Sequence, residues 1–289
     1  MTPPEDFADR ATPLPVKTLR LGQAELTLVP DGEMHVVPGV GLFGAPKDVG
    51  WAGYLPPDDG GHVKVMPNSL LVRGLGEGAV LVDAGGENAL ERPGRRTDFL
   101  ARLDALGVRR EEVRTLVVTH AHLDHIGYLT VPVDNGRAPA FPNAQVFIQR
   151  AGAEAFASAD PGRWARYFAP AERAGLLRVI EGDVTITPGV TCLATPGHTP
   201  GHQSVMIDAG DGSAVYAGDL AVTKLHLEHP EWCPEWTWLR EAEIASKRKL
   251  TDLALARDAV VVFGHDPRMP FGRLRRRGGV VEVLAVDAR

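Results

Sequence analysis

The chain of 289 residues is poor in cysteine: only Cys192 and Cys233 occur. Two cysteines cannot build a disulfide framework, which points to a reducing, cytoplasmic setting. No apolar run approaches the ~18–20 residues needed to cross a bilayer, so no membrane partner is expected. The first residues, MTPPEDFADRATPLP, are acidic and Pro-rich and lack the apolar core of a signal peptide. Positive charge is also in short supply, with Lys+Arg 31 against Asp+Glu 37 and a formal net charge of −6. That balance argues against nucleic acid as a partner. The basic run Arg273-Leu274-Arg275-Arg276-Arg277 reads as a solvated turn. Internal repeats and low-complexity tracts are absent as well.

What remains is a globular composition, 44% hydrophobic and 24% charged. Residues 1–15 read as an N-terminal arm, and 16–289 as a single domain with no linker. Short strands are expected at Val16–Leu21, Ala24–Val29, Ser69–Arg73, Ala79–Asp83, Thr115–Thr119 and Gln145–Gln149. A second series falls at Arg178–Ile180, Val184–Thr187, Val190–Ala194, Gln203–Ile207, Ala214–Tyr216, Ala259–Phe263 and Val280–Val286. Helical patterns cover Thr97–Leu106, residues 151–176 with breaks at Pro161 and Pro170, and Thr237–Ala256. Strands interleaved with helices, in two halves of similar plan, indicate an α/β fold with stacked sheets and helices outside. Residues 31–66 hold eight glycines and four prolines and read as a long loop, near the active site or at a dimer interface. Its Phe43, Trp51 and Tyr54 look exposed and are candidates for an apolar wall over a substrate, with Val222 and His226 further along the chain as companions.

Histidine, by contrast, is plentiful: there are ten. Three fall in Thr119-His120-Ala121-His122-Leu123-Asp124-His125, directly after the strand LVVT. In extended chain, side chains two apart point the same way, so His120 and His122 can share one metal ion. If the chain then turns into a helix, Asp124 and His125 swing aside and can hold a second ion. Imidazole and carboxylate donors suit Zn²⁺ or a similar divalent metal, with Fe, Co and Mn also open. Three more polar groups end apolar strands downstream: Thr195-Pro196-Gly197-His198-Thr199-Pro200-Gly201-His202, Gly218-Asp219-Leu220 and Gly264-His265-Asp266.

HAHLDH, GHTPGH, GD and GH, in that order, resemble the metallo-β-lactamase superfamily over roughly residues 65–270. The resemblance implies a four-layer αββα sandwich with two metals at one edge of the sheets. It places His120, His122 and His198 on the first metal, Asp124, His125 and His265 on the second, and Asp219 between them. Asp83, in LVDAGG, matches the family's first motif as an acid that orients the histidine loop, and His202 reads as a residue behind the ligands. The implied reaction is hydrolysis of a small-molecule substrate by metal-activated water, with Asp219 and Asp124 as the catalytic acids. Asp219 argues against the true class B β-lactamases, and His122 against the flavodiiron oxidoreductases. TPGHTPGHQS and FGHD look most like the N-acyl homoserine lactonases, and FPNA at 141–144 like the group containing methyl parathion hydrolase. The expected activity is therefore lactonase-like with promiscuous esterase and organophosphatase action, and a homodimer is expected. The lactonases carry a Tyr three residues after the bridging Asp, where this chain has Val222; Tyr54 and Tyr128 are the available substitutes. A glyoxalase-II-like thioesterase and a mononuclear-iron persulfide dioxygenase are the alternatives.

Overall fold

The computed structural model describes residues 14–45, 50–86 and 99–289. Two seven-stranded sheets dominate it. In spatial order the first runs Lys17–Leu21, Ala24–Pro30, Asn68–Arg73, Ala79–Val82, Val113–Val117, Gln145–Gln149 and Leu177–Ile180. The second runs Val184–Thr187, Val190–Ala194, Gln203–Asp208, Ser213–Tyr216, Val260–Val262, Phe271–Arg277 and Val280–Ala285. Hairpin-linked neighbours are antiparallel, whereas Ala79–Val82, Val113–Val117, Gln145–Gln149 and Leu177–Ile180 run parallel, as do Ser213–Tyr216 and Val260–Val262. Parallel neighbours need long crossovers. Three are supplied by the helix Phe99–Ala105, by three short helices between Arg150 and Arg173, and by the helix Arg240–Ala256. The fourth, from Val113–Val117 to Gln145–Gln149, carries the one-turn helix Leu123–Ile126 and the hairpin of Thr130–Val133 with Gly136–Pro139.

Strands buried on both faces explain the near-continuous apolar runs such as AVLV and VVV. Val80 and Val82 face the second sheet, where they meet a core containing Val205, Tyr216, Val260 and Val262. Their neighbours Ala79 and Leu81 face the other way, into Phe99, Leu103, Phe141 and Phe168. Val215 and Val261 likewise turn outward onto Leu250 and Ala254 of the long helix. The period-2 alternation thus separates three apolar layers and gives the expected helix–sheet–sheet–helix stack.

Several expectations change in detail. Pro161 and Pro170 each open a new helix, Pro161–Tyr167 and Ala169–Arg173, because proline is tolerated in a first turn. The long helix starts at Arg240 rather than Thr237. The basic run 273–277 is not a turn: it lies in the strand Phe271–Arg277, with Arg275 paired to Glu282 and Arg276 to Asp252. The expected arm lies outside the described residues up to position 13, while Leu14 is buried. The helix start at Thr97 is likewise outside them.

Residues 31–66 are the largest correction. Met34–Val36 pairs with Val63–Val65 as a hairpin, and short helices form at Val40–Phe43 and Trp51–Tyr54. Phe43 and Trp51 are not an exposed rim: they are 0% and 5% exposed. They form an apolar cluster with Val222, Leu225 and Trp232 of the same chain. The Phe43 ring stacks on Trp51 at 5.4 Å and on His226 at 5.8 Å.

Candidate metal centre

The carboxyl ends of the two parallel pairs, Ala79–Val82 with Val113–Val117 and Ser213–Tyr216 with Val260–Val262, each release a polar loop. These loops, with the one after Val190–Ala194, bring seven side chains together in two groups. His120, His122, His198 and Asp219 form one, Asp124, His125 and His265 the other, and within each group the donor atoms all lie within 4.8 Å. The turn into the short helix Leu123–Ile126 separates the two sets.

In the first group His122 Nδ1 lies 2.9 Å from His120 Nε2 and 3.1 Å from His198 Nε2. In the second, His265 Nε2 is 3.3 Å from His125 Nε2. Asp219 spans both. Its Oδ1 faces His265 Nε2 at 3.0 Å and His125 Nε2 at 3.3 Å, and its Oδ2 faces His198 Nε2 at 3.5 Å and His120 Nε2 at 3.8 Å. Asp124 Oδ2 stands 3.7 Å from His125 Nε2 and 3.9 Å from His265 Nε2.

These donors fit divalent ions. Nitrogens about 2.0–2.1 Å from a tetrahedral zinc stand about 3.3 Å from one another, close to the spacings above. Asp219 Oδ1 is buried and, among the described residues, meets no donor in hydrogen-bonding geometry despite its short distances to the rings. Lone pairs aimed at a shared centre, rather than at each other, account for both facts.

The surroundings fix which ring nitrogen faces inward. Asp83 accepts from the backbone N–H of Thr119 at 2.8 Å, from its hydroxyl at 2.9 Å, and from His125 Nδ1 at 2.8 Å. The Thr119 hydroxyl in turn accepts from His120 Nδ1 at 3.0 Å. Both histidines therefore carry their proton on Nδ1 and turn Nε2 to the centre. His202 belongs to neither group. Its Nε2 accepts the backbone N–H groups of Asp219 and Leu220 at 3.1 and 3.3 Å, and its Nδ1 bonds the Thr195 hydroxyl at 2.9 Å. It holds the turn that carries Asp219. Gly218 is required there: its φ is +58° and a Cβ would come within 2.7 Å of His202 Nε2.

Burial drives His120 and His198 well below the ordinary imidazole range, with neighbouring imidazoles adding to the effect. Burial likewise lowers His202 to about 4. Neutral rings are the form that binds a metal. Burial would push His125 down too, but Asp219, Asp83 and Asp124 overcome it and hold this ring well above its usual value. Burial would raise Asp219; the rings of His265 and His125 instead keep its carboxylate well below the usual range.

The expected substrate wall is not brought together as an open surface. Val222 and His226 are 3% and 0% exposed. The Tyr54 hydroxyl donates to Asp266 at 2.8–2.9 Å, and its ring lies beneath Lys224 Nζ at 5.0 Å. Burial and then Asp266 raise the Tyr54 pKa above the usual phenol range. The Tyr128 ring packs on Phe99 at 5.6 Å. Sequence reasoning gave no role to Thr119 or Asp266, although Asp266 is 1% exposed and also accepts from the backbone N–H groups of Lys224, Arg268 and Met269. The positions themselves were the signal: each immediately adjoins a histidine of the centre.

The sandwich and its rim of histidines and aspartates define a metallohydrolase-type architecture. Residues 63–265 match the metallo-beta-lactamase superfamily, a superfamily of metal-dependent hydrolases, and the chain belongs to that superfamily. It is 32% identical over 166 residues to an N-acyl homoserine lactonase of Bacillus sp, a match covering 57% of this chain and 60% of that protein. To an N-acyl homoserine lactonase of Bacillus cereus it is 30% identical over 213 residues, covering 66% of this chain and 77% of that one. The chain thus spans 60% and 77% of the lengths of these two relatives. Among solved structures, the dizinc quorum-quenching lactonase AidC, in complex with a product, superposes with a TM-score of 0.74 at 23% identity, covering 94% of this chain and 97% of that one. Among the described residues, no helix is long and apolar enough to cross a membrane.

Proposed function

We propose that the chain is a dinuclear metal-dependent hydrolase that opens lactones of the N-acyl homoserine type, with side activity on aryl esters and phosphotriesters. The observation that carries this reading is the placement of Asp219, one carboxylate oxygen toward each donor group. His120, His122 and His198 would hold one ion and Asp124, His125 and His265 the other, with Asp219 shared. Zinc is the proposed metal because the donors are nitrogen and oxygen in two compact sets. Ions bound there would lower the pKa of a bound water and polarise the carbonyl under attack.

The chain's own residues supply the rest. Asp219, with 10% of its side chain exposed, accepts the proton of the attacking water and passes it to the departing ring oxygen as the acyl–oxygen bond breaks. Asp124, with 22% of its side chain exposed, connects the centre to solvent and carries protons outward. The phenol that lactonases present three residues after the bridging Asp has no counterpart at Val222, and Tyr54 is engaged by Asp266. A carbonyl polarised without that phenol favours breadth over lactone specificity.

A parallel screen with N-acyl homoserine lactones of several acyl lengths, aryl esters and paraoxon-type triesters tests the reading, using Asp219→Ala as blank. Lactone opening by the wild type and none by the variant is expected. Activity that survives Asp219→Ala rules out the shared-carboxylate mechanism. A preparation active only on thioesters would transfer the chain to the glyoxalase-II-like class.

A further inference from the structure

His198 is the one histidine of the first group supplied by a glycine-rich loop outside the HAHLDH run, so its placement depends on what packs behind that loop. The support is the start of the helix Arg240–Ala256 and the extended segment before it. Ser246 Oγ donates to Pro196 O at 2.7 Å, Leu239 N–H to Gly197 O at 2.9 Å, and Trp238 N–H to His198 O at 3.1 Å. Three consecutive carbonyls of the ligand loop are therefore held by one bracket. The approach is close enough that a Cβ on Gly197, whose φ is +141°, would stand 2.2 Å from Glu243 Cα.

The bracket is locked from within by a buried ion pair. Lys247 Nζ lies 2.5 Å from Glu243 Oε1, and both side chains are 0% exposed. Lys247 also donates to Trp232 O at 2.6 Å, while the Thr237 hydroxyl donates to Glu243 Oε2 at 2.7 Å. The pair thus ties the 232–237 segment to the helix at Glu243, which Gly197 packs against, and one turn beyond it at Lys247. Two charges fully removed from water add little net stability compared with apolar residues of the same shape, but a pair anchored at both ends, here to Trp232 O and the Thr237 hydroxyl, can fix geometry. Outer partners of metal ligands commonly set affinity through such geometry.

We propose that Glu243 and Lys247 are positioning residues that set the place of His198 through the 196–198 loop, and so tune the affinity of the first donor group but not the second. This inference rests on the metal reading above. Its test uses zinc and a competing chelator on the full-length chain, in two single-group backgrounds: His265→Ala, which leaves the first group complete, and His122→Ala, which leaves the second with Asp219. Adding Glu243→Gln is expected to weaken zinc roughly ten-fold or more in the first background, within the ~10–100-fold range for such partners, and less than about two-fold in the second. All measurements are made well below the melting temperature, on samples whose far-UV CD matches the parent. Equal loss in both backgrounds, or no loss in either, overturns the proposal. If Glu243→Gln does not fold, Ser246→Ala removes one bracket bond without leaving a buried charge. A smaller loss confined to the first background then supports the proposal, and no difference between backgrounds overturns it. Failure of the wild type to bind zinc at all would instead refute the metal reading.

Discussion

Asp83 accepts the Nδ1 proton of His125 at 2.8 Å, from a backbone position with φ of +62° that few non-glycine residues adopt. The contact leaves Nε2 as the ring nitrogen His125 turns to Asp219. Asp83 also links two strands of the first sheet, since it directly follows Ala79–Val82 and its other partner, Thr119, lies just beyond Val113–Val117. Strain at a site that also accepts three hydrogen bonds is what a device for aiming ligands requires.

Asp83→Ala is therefore expected to weaken zinc binding by about 10–100-fold with the long helix and both sheets intact by CD. Asp83→Asn should fall between, because an amide can still accept from the Thr119 backbone. Wild-type zinc affinity in Asp83→Ala would reduce this residue to a turn former.

Asp219 makes a stronger prediction. Its two oxygens each serve a different donor group, so Asp219→Ala should cost about 10²–10⁴-fold in turnover and release one zinc equivalent. Because bound metal stabilises only the folded form, exhaustive chelation of the wild type should lower its melting temperature, and added zinc should restore it. The same chelation should have a smaller effect on Asp219→Ala. Differential scanning calorimetry beside metal analysis decides this.

How far sequence alone reached depends on how local each interaction is. His120, His122, Asp124 and His125 sit in six consecutive positions after one strand, so their convergence needs only strand and turn geometry. His198, Asp219 and His265 come from three further loops, and their order after apolar strands made the shared rim legible. Residues 31–66 were illegible because their contacts are distant: Phe43 meets His226 and Trp232, and Tyr54 meets Asp266, each across most of the chain. The strand Phe271–Arg277 was hidden by its own chemistry. Arg275, Arg276 and Arg277 face solvent, Arg275 pairing with Glu282 and Arg276 with Asp252, and only Phe271, Gly272 and Leu274 of the strand are buried. Likewise Thr237–Leu239 have a helical pattern but remain outside the helix, since the Trp238 and Leu239 N–H groups are bonded to the His198 loop.

The folding of the 31–66 segment onto its own chain has a measurable consequence. Phe43 fills a closed cluster with Trp51, His226 and Trp232. Phe43→Ala should cost about 3–5 kcal/mol of unfolding free energy, the range for removing a fully buried aromatic. Urea unfolding of the metal-loaded protein checks it. A loss below about 1 kcal/mol, together with a raised KM, would return Phe43 to the substrate wall first expected of it.

His226 offers a test by pH. Its Nε2–H donates to Leu42 O at 3.2 Å, its Nδ1 accepts the Thr223 N–H at 3.2 Å, and burial lowers its pKa to about 3. The ring is therefore neutral in the folded chain, whereas in the unfolded chain it titrates near the ordinary value of about 6.5. Below that pH the unfolded state binds the extra proton, so stability falls as pH drops from about 6.5 toward about 3 and levels off once the folded ring also protonates. The slope from this residue alone is about 1.4 kcal/mol per pH unit. His226→Gln can keep the bond to Leu42 O but cannot titrate. Other buried histidines titrate in both proteins, so subtracting the two stability curves, measured by urea unfolding without metal between pH 7 and 4, isolates His226. A constant difference across that range would mean that its ring is charged, or solvated, in the folded protein.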